Sequence, residues 1–253
     1  MNVLVTFAVD AEFAPWRKLR DFKKRVVKND SGPRVSFVAT IGDKQIEVVL
    51  TGIGGNACKQ TLARRDLPRG PKPELVVSSG LAGALSQQLK PGDLIAPRKA
   101  RTLKNDANAD ANKEPWSHSI KQGALPIDTL ITVDRVVQTA SEKRRLGFFG
   151  EAVDMESAII MSHCVEAVVP VVTIRAISDA ADEDLPIDFD RCLTPQGAVK
   201  PLSLVNAIVR SPGNLPHLVR FGRQSNMAAR KLAEFLDNYV ASVPTLEGRV
   251  AVV

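Results

Sequence analysis

Short apolar runs alternate with amphipathic stretches along the chain, a pattern that predicts strands and helices following one another. Residues 3–9, 74–79 and 171–174 are brief runs of mostly apolar residues bounded by polar or Pro- and Gly-containing turns, as buried strands are. Apolar residues recur at helical spacing over 157–165 and from about 215 to 242. No internal repeat or linker divides the sequence. We therefore predict a single α/β domain over the whole chain, with helices on both faces of a mixed sheet.

Glycine-containing stretches mark the connections between further elements. Residues 35–50 predict a β-hairpin with a short Gly-Asp turn. The glycine-rich residues 51–56 lead from its second strand into a helix predicted over 57–64. Such a turn lets backbone N–H groups approach an anion or a ribose, although a tight connection explains it equally well. Residues 80–84 are predicted to form a second turn of small residues.

The remaining segments carry weaker patterns. Residues 97–113 are polar, basic and rich in Asn and Asp, with almost nothing to bury, so we predict a long mobile loop there. Residues 127–137 favour a strand, and residues 140–145 favour a short basic helix. A second short helix is predicted over 202–209, and residues 243–253 are predicted to be a tail.

The net charge of +6 adds little to this picture, because the basic residues are spread along the chain. No aromatic residues are interleaved with them, as a platform for stacking bases would require. The hypothesis that the protein binds nucleic acid specifically therefore rests on its charge alone. A solvated basic surface, which is compatible with anionic small substrates such as phosphate, explains the charge better. Three scattered cysteines and three histidines without ligand spacing predict neither a disulfide framework nor a metal site.

The first residues and the longest apolar runs indicate where in the cell the protein is expected. The opening MNVLVTFAVDAEF has no basic region before its short apolar run, so we predict a strand there and not a signal peptide. No run approaches the length of a transmembrane helix. We therefore expect a cytoplasmic protein without a membrane span.

Acidic residues follow three of the predicted strands. Glu12 follows the first, Asp154 and Glu156 follow a short apolar pair, and Asp179 lies after the strand that begins at Val171. If the last two strands are parallel neighbours, their acidic residues lie at one edge of the sheet, where open α/β sheets bind ligands. Each carboxylate could simply cap a helix or form a turn. The alternative is that these side chains hold substrate hydroxyls or transfer a proton.

Several segments, in chain order, form a combination more specific than any of them alone. They are AVDAEF at 8–13, TGIGG at 51–55, SGLAGAL at 79–85 with KPGDLI at 90–95, AVDMES at 152–157 and VPVVTIRAISDAAD at 169–182. Together they resemble the nucleoside phosphorylase superfamily, nearest in pattern to its methylthioadenosine/S-adenosylhomocysteine nucleosidase branch. The resemblance spans roughly residues 1 to 240. It implies a three-layer α/β/α sandwich with a central mixed sheet, and an enzyme that cleaves the N-ribosidic bond of a purine nucleoside.

The resemblance also implies roles for individual residues. Asp179 would protonate or hydrogen-bond purine N7, and Glu12 would activate the attacking water. Glu156 would hold the ribose 2′- and 3′-hydroxyls, and Met155 would pack beneath the sugar. The remaining implied substrate-site positions are Ser178, which would orient the acid, Arg175, which would support the strand end by pairing, and the lining residues Val153, Ile53, Ala82 and Gly83.

The chain departs from the branch at three positions, two of them inside these motifs. Leu81 stands where a small polar residue is usual, Asp154 replaces the more usual Glu, and Val136 takes the place of a base-stacking Phe. These departures leave open a hopanoid-associated phosphorylase that acts on an adenosyl-lipid. A non-catalytic nucleoside-binding module is a further alternative.

The acceptor and the assembly are not fixed by these motifs. Water and phosphate both stay open as acceptors, because Arg17, Arg34 and Arg101 could bind an anion but cannot be placed from the sequence. No cofactor is expected beyond phosphate as a co-substrate. The resemblance implies a homo-oligomer, either a dimer or a hexamer, whose partner is a small-molecule nucleoside substrate.

Overall fold

A computed structural model of the chain describes residues 1–29, 32–65, 72–104, 107–186, 188 and 215–245. The helix predicted over 202–209 and most of the tail predicted over 243–253 lie outside these residues. The described helices are α1 Asp10–Leu19, α2 Gly55–Arg65, α3 Lys113–Lys121, α4 Ala140–Leu146, α5 Ser157–Glu166 and α6 Leu215–Ser242. The described strands are β1 Asn2–Phe7, β2 Lys23–Asn29, β3 Gly32–Ile41, β4 Lys44–Leu50, β5 Leu75–Ala84, β6 Leu94–Thr102, β7 Asn108–Asp110, β8 Leu125–Thr132, β9 Ala152–Asp154 and β10 Val171–Asp179.

The strands form one mixed sheet in the order β10-β6-β8-β9-β5-β1-β4-β3-β2, and β7 pairs with β6. Strands β1, β4, β5 and β10 run parallel to one another, whereas β2–β3 and β3–β4 are antiparallel hairpins. Strand β10 pairs with β5 as well as with β6. Because β5, β9, β8, β6 and β10 are thereby joined in a ring, this end of the sheet curls round on itself.

Both faces of the sheet are covered by helices, because successive strand residues are apolar and point to opposite faces. On β1, Leu4 packs in the cluster that contains residues of α2 and α5. Its neighbours Val3 and Val5 pack in the other large cluster, with residues of α1 and α6. The predicted α/β sandwich with a mixed central sheet is therefore confirmed. No described helix is both long enough and apolar enough to cross a membrane.

The prediction of a turn of small residues at 80–84 is wrong, because these residues continue β5. Their backbones pair with β10 along one edge, and Gly83 and Ala84 pair with β9 along the other. Small side chains are needed here for close approach rather than for turning. A Cβ atom on Gly80 would lie 2.9 Å from Nη1 of Arg175 and 3.2 Å from both carboxylate oxygens of Glu12.

The prediction of a long mobile loop over 97–113 is also wrong. Strand β6 continues to Thr102, β7 pairs with it from Asn108, and α3 begins at Lys113; residues 105–106 lie outside the described part. The one large aliphatic side chain of the segment, Leu103, is exposed, but β6 is held by backbone pairing with β8 on one side and with β7 and β10 on the other. Its small Ala100 and Ala109 side chains are buried, which explains why its burial was not apparent from hydropathy.

Candidate active site

A cavity of about 480 Å³ lies at the carboxyl ends of the parallel strands. This is the edge at which open α/β sheets bind ligands. Its wall is formed by residues that follow β1 and β4, by the second half of β5, by the ends of β9 and β10, and by one side of α6. The residues predicted from the sequence that line it are Glu12, Ile53, Ala82, Gly83, Val153, Met155, Glu156, Ser178 and Asp179.

The acidic residues after β9 and β10 meet for a different reason from the one predicted. The two strands are not parallel neighbours, since β9 runs antiparallel to β5 and β10 runs parallel to it. Both strands pair with β5 at the same point: Gly83 lies opposite Val153 on one side and opposite Asp179 on the other. Strand β5 therefore brings the two acidic segments together.

Glu12 lies in the first turn of α1 and points back towards β5. Its Oε1 accepts a hydrogen bond from the backbone N–H of Leu81 at 3.0 Å, and its Oε2 accepts one from the N–H of Ala8 at 3.0 Å. The bond to Ala8 also caps the helix start, so the structural role and the cavity-facing position coexist. Burial raises the pKa of the Glu12 carboxyl, although the N–H of Leu81 and the charge of Arg175 act in the opposite direction. A raised pKa suits a group that must take up a proton near neutral pH.

Glu156 begins α5 and faces the glycine-rich turn after β4. Its Oε1 accepts a hydrogen bond of 2.6 Å from the N–H of Gly54, whose φ of +87° favours glycine. Burial, and then repulsion from Asp154, raises the pKa of Glu156 to about 8, while the charge of Arg175 opposes the rise. Met155 lies beside the same turn, since its Cε would be 3.6 Å from a Cβ on Gly54.

Arg175 and Asp154 form a buried ion pair at the cavity wall, with Asp154 on the cavity and Arg175 behind it. The carboxylate Oδ2 of Asp154 lies 2.9 Å from Nε and 2.8 Å from Nη2 of Arg175. Asp154 also accepts hydrogen bonds from Thr132 Oγ1 at 2.7 Å and from Ser157 Oγ at 2.5 Å, so it anchors the start of α5. Burial lowers the pKa of Arg175, but the carboxylates of Asp154, Glu156 and Glu12 outweigh that effect and raise it.

Arg175 does not line the cavity, although it was predicted as a substrate-site residue. It pairs with Asp154 at the end of β9, and the role predicted for it, support of the end of β10, stays a prediction. Its Nη1 is buried and has no hydrogen-bond partner among the described residues. Because a Cβ on Gly80 would be close to both this Nη1 and the Glu12 carboxylate, the two groups face the same narrow space.

Asp179 ends β10 and has a partner that the sequence did not reveal. Its Oδ1 accepts a 2.5 Å hydrogen bond from Ser178 Oγ, consistent with the predicted orienting role of that serine. Its Oδ2 lies 2.5 Å from Nζ of Lys143, which is fully buried. Residues 143–145 were interpreted as part of a solvated basic surface, and for Lys143 this is wrong. The signal was present, since Thr139, Lys143 and Leu146 share one face of α4 and Leu146 is apolar.

The rest of the wall is largely apolar. The three positions at which the chain departs from the resembled branch, Leu81, Val136 and Asp154, all lie on the cavity. The sequence did not indicate that α6 would contribute, because its apolar stripe is also its packing face. The apolar lining residues outside the predicted set include Val133, Val136, Val137, Leu185, Phe221 and Ala229.

The arrangement suits a ligand with an apolar body and a few polar atoms. Three carboxyl groups, from Glu12, Glu156 and Asp179, reach one cavity from separate elements. Two of them have raised pKa values and the third has an ammonium beside it. Such a site can accept hydrogen bonds from hydroxyls, take a proton from a nucleophile and give one to a leaving group.

Comparison with known proteins places the chain among relatives of similar length. Residues 2–210 match the phosphorylase superfamily. A 5′-methylthioadenosine/S-adenosylhomocysteine nucleosidase from Actinobacillus succinogenes is 28% identical over 189 residues, which cover 64% of this chain and 80% of the relative. A protein of the same name from Glaesserella parasuis is 27% identical over 206 residues, covering 69% and 85% respectively.

Solved structures share the fold at lower identity. A Helicobacter pylori 5′-methylthioadenosine/S-adenosylhomocysteine nucleosidase with butyl-thio-DADMe-Immucillin-A superposes with a TM-score of 0.71 and 20% identity, over 95% of this chain and 97% of that one. The native futalosine hydrolase of Helicobacter pylori gives a TM-score of 0.69 and 19% identity over the same shares. These likenesses show the fold.

Proposed function

Because this chain belongs to the phosphorylase superfamily, we propose that it cleaves the N-glycosidic bond of an adenine nucleoside, with water as the acceptor. The resemblance stated from the motifs is confirmed, and so is the prediction that the chain is an enzyme of this superfamily. The adenine base is proposed from the relatives, which are named for adenosine derivatives.

One observation carries the proposal: Glu12, Glu156 and Asp179 line the same cavity although they come from three separate parts of the chain. Loss of a purine leaves a sugar with oxocarbenium character, and the base must not depart as an anion. The reaction therefore needs a proton donor at the base, a grip on the sugar and a base for the nucleophile. Three carboxyl groups around one apolar cavity meet these three needs.

Each carboxyl group is assigned by its surroundings. Asp179, beside the Lys143 ammonium and the Ser178 hydroxyl, assists departure of the base at N7. Glu156, held by the N–H of Gly54, accepts hydrogen bonds from the ribose hydroxyls. Glu12, whose carboxyl group is held by the N–H groups of Leu81 and Ala8, takes the proton of the attacking water.

Water is favoured over phosphate by the charges that face the cavity. Of the described residues that line it, Arg135 is the only Lys or Arg, and its guanidinium is paired with Glu142. Arg17, Arg34 and Arg101, which could have held an anion, do not line the cavity, and Arg17 is paired with Asp10 at 2.7 Å. A phosphate beside Glu12 would meet a carboxylate, and the described lining offers no unpaired Lys or Arg to balance both charges.

The 5′-substituent is proposed to be apolar, because the described wall outside the carboxyl groups is mostly Val, Leu, Phe and Ala. A methylthio group and a lipid chain both satisfy this chemistry. The adenosyl-lipid of a hopanoid-associated phosphorylase is therefore kept as a second candidate, distinguished by the length of the substituent. The homo-oligomer, dimer or hexamer, stays a prediction.

The test is product analysis with the purified chain. Adenosine, 5′-methylthioadenosine, a 5′-alkylthioadenosine series of increasing chain length, and inosine are each incubated with and without phosphate. We expect adenine and the free sugar from the methylthio compound, at a rate that phosphate does not change, and little product from inosine. Formation of a sugar 1-phosphate only when phosphate is present would overturn hydrolysis, and fastest turnover of the longest alkyl chains would favour the lipid substrate. Calorimetric binding of adenosine without release of base under any condition would favour the non-catalytic module.

A further inference from the structure

We propose that Lys143 is a positioning residue for base release, which acts through Asp179 by orienting that carboxyl and replacing the proton that it gives to the purine. The inference rests on the proposed function, since it concerns how the same site releases its base. It assigns a role to a side chain from α4, an element that none of the quoted motifs includes.

The contacts of Lys143 account for every donor on its ammonium group. Nζ lies 2.5 Å from Asp179 Oδ2, 2.7 Å from the carbonyl oxygen of Ala180 and 2.8 Å from that of Glu183. The two carbonyls belong to the turn that follows Asp179. Lys143 therefore fixes both the carboxyl group and the backbone beyond it, and the side chain itself has no exposed surface.

A tether for the turn would not by itself require a charge. The two carbonyl bonds could be made by a neutral donor, and burying an ammonium carries a desolvation penalty of several kcal/mol. What requires the charge is the Asp179 carboxylate, which is also buried and receives one further hydrogen bond, from Ser178. The placement of the ammonium is therefore explained by Asp179 and not by the turn.

The proton balance follows from these contacts. In the resting pair, the ammonium of Lys143 faces the carboxylate of Asp179. As the N-glycosidic bond breaks and its electron pair goes to the purine, one proton moves from the Lys143 ammonium to the Asp179 carboxylate, and the Asp179 carboxyl group gives one proton to N7, so that Asp179 ends as a carboxylate again. Lys143 ends as a neutral amine whose two remaining N–H groups still donate to Ala180 and Glu183. The proton that the attacking water passes to Glu12 then returns through solvent to the amine, so the cycle closes without another reactant.

The deciding experiment compares two leaving groups. The variant Lys143→Met is assayed with 5′-methylthioadenosine, whose base needs a proton, and with 4-nitrophenyl β-D-riboside, whose leaving group departs as a stable anion. We expect kcat for the adenine nucleoside to fall by about 10²-fold or more, the size of a general-acid contribution, with KM little changed. The nitrophenyl riboside should be cleaved at close to the rate of the unmodified protein. An equal loss on both substrates would overturn the proposal, because a merely structural lysine would slow both.

Two further variants keep the result interpretable. Arg144→Met, an exposed neighbour on the same helix, is the matched control and should leave both rates unchanged. Lys143→Arg keeps a cation in the pair, so folding should be retained even if Lys143→Met does not fold. Because a guanidinium does not give up its proton, we expect this variant to be slow on the adenine nucleoside alone. Wild-type adenine release by Lys143→Arg would overturn proton replacement by Lys143.

A double-variant cycle tests whether Lys143 acts through Asp179. Asp179→Asn alone and Asp179→Asn with Lys143→Met should release adenine at the same slow rate, since the second change removes nothing further. A second loss of similar size in the double variant would overturn the proposal. Failure of the proposed function looks different: the unmodified protein would then release no base from 5′-methylthioadenosine at all.

Discussion

Two buried ion pairs lie side by side at the end of the sheet, and they differ in what else touches their carboxylates. Asp154 is bonded to Arg175 and also to Thr132 and Ser157, so both of its oxygens are fully engaged inside the protein. Among the described residues, Asp179 is bonded to Lys143 and Ser178 only. Both aspartates border the cavity, but the Asp179 side chain is 7% exposed and the Asp154 side chain 1%. The first pair holds the scaffold, and the second is open towards a ligand.

The difference teaches that burial and ion pairing do not by themselves mark a functional carboxylate. Both aspartates are almost completely buried, with 6% and 5% of the whole residue exposed. Their roles are separated by the number of protein donors, since a carboxylate with its lone pairs filled has nothing to offer a substrate. Variants of the two pairs should therefore fail in different ways, one in chemistry and the other in folding.

The largest effect is expected for Asp179→Asn. The amide keeps the size of the side chain but cannot carry the proton to the purine, so turnover of 5′-methylthioadenosine should fall by roughly 10²- to 10⁴-fold. The measurement is kcat by adenine release, with thermal unfolding followed by circular dichroism as the control for folding. An unchanged turnover rate would remove Asp179 from the mechanism and erase the contrast between the pairs.

Arg175→Met should instead act on stability. It leaves the Asp154 carboxylate buried without its cation, and breaking a buried pair in this way lowers the free energy of unfolding by roughly 3–5 kcal/mol. Urea unfolding measures the change. Arg20→Met is the matched control, because Arg20 also pairs with an aspartate, Asp237, but is 46% exposed, and such pairs contribute about 1 kcal/mol or less. Equal losses for the two variants would show that burial of the Arg175 pair adds nothing.

The sequence predicted the layers of the fold and the three carboxyl groups of the cavity, because both depend on local signals and short motifs. Strand β1, helix α5 and helix α6 follow from hydrophobic periodicity, and Glu12, Glu156 and Asp179 follow directly after predicted strands or turns. What it could not predict depends on contacts between distant segments.

Lys143 illustrates the limit. Its position on the face of α4 that carries Leu146 is a signal for burial, but only Asp179 and the backbone that follows it, about 40 residues further along the chain, show what its charge meets. The extension of β5 through residues 80–84 has the same cause, since partners on both edges decide that small residues pair as a strand. The segment 97–113 likewise owes its order to neighbouring strands and not to its own hydropathy.

The Arg175–Asp154 pair should also affect how stability depends on pH, because both of its charges act on the pKa of Glu156. Arg175 is already committed to Asp154, and the pKa of Glu156 is raised to about 8 by burial and by Asp154. A raised folded-state pKa means that the folded protein holds a proton that the unfolded chain releases. Stability is therefore full below the ordinary pKa of a glutamate and falls as the pH rises towards the folded pKa, by at most about 1.4 kcal/mol per pH unit.

Glu156→Gln removes this titration and isolates it from that of Glu12, whose pKa is also raised. Urea unfolding of the ligand-free proteins between about pH 5 and pH 8 should show the variant gaining stability over the unmodified protein as the pH rises. Parallel curves across that range would mean that the pKa of Glu156 is not raised in the folded protein. The positive charge of Arg175 would then stabilise the Glu156 carboxylate as well as that of Asp154.

The smallest effect concerns how closely β5 approaches the open pair. A Cβ on Gly83 would lie 3.0 Å from Asp179 Oδ2 and 3.4 Å from Val153 Cγ1. Because Lys143 and Ser178 each hold one oxygen of Asp179, its carboxyl group can move away from the added Cβ only if one of those bonds lengthens. We expect Gly83→Ala to lower kcat by about tenfold, equivalent to roughly 1.4 kcal/mol of activation free energy, with little change in the unfolding midpoint.

Gly55→Ala, where the Cβ would make an ordinary 3.5 Å contact with Ile159, should leave kcat unchanged. If Gly83→Ala were as active as the unmodified protein, the carboxyl group would have room to move, and the fixed geometry that distinguishes Asp179 from a solvated aspartate would not be required.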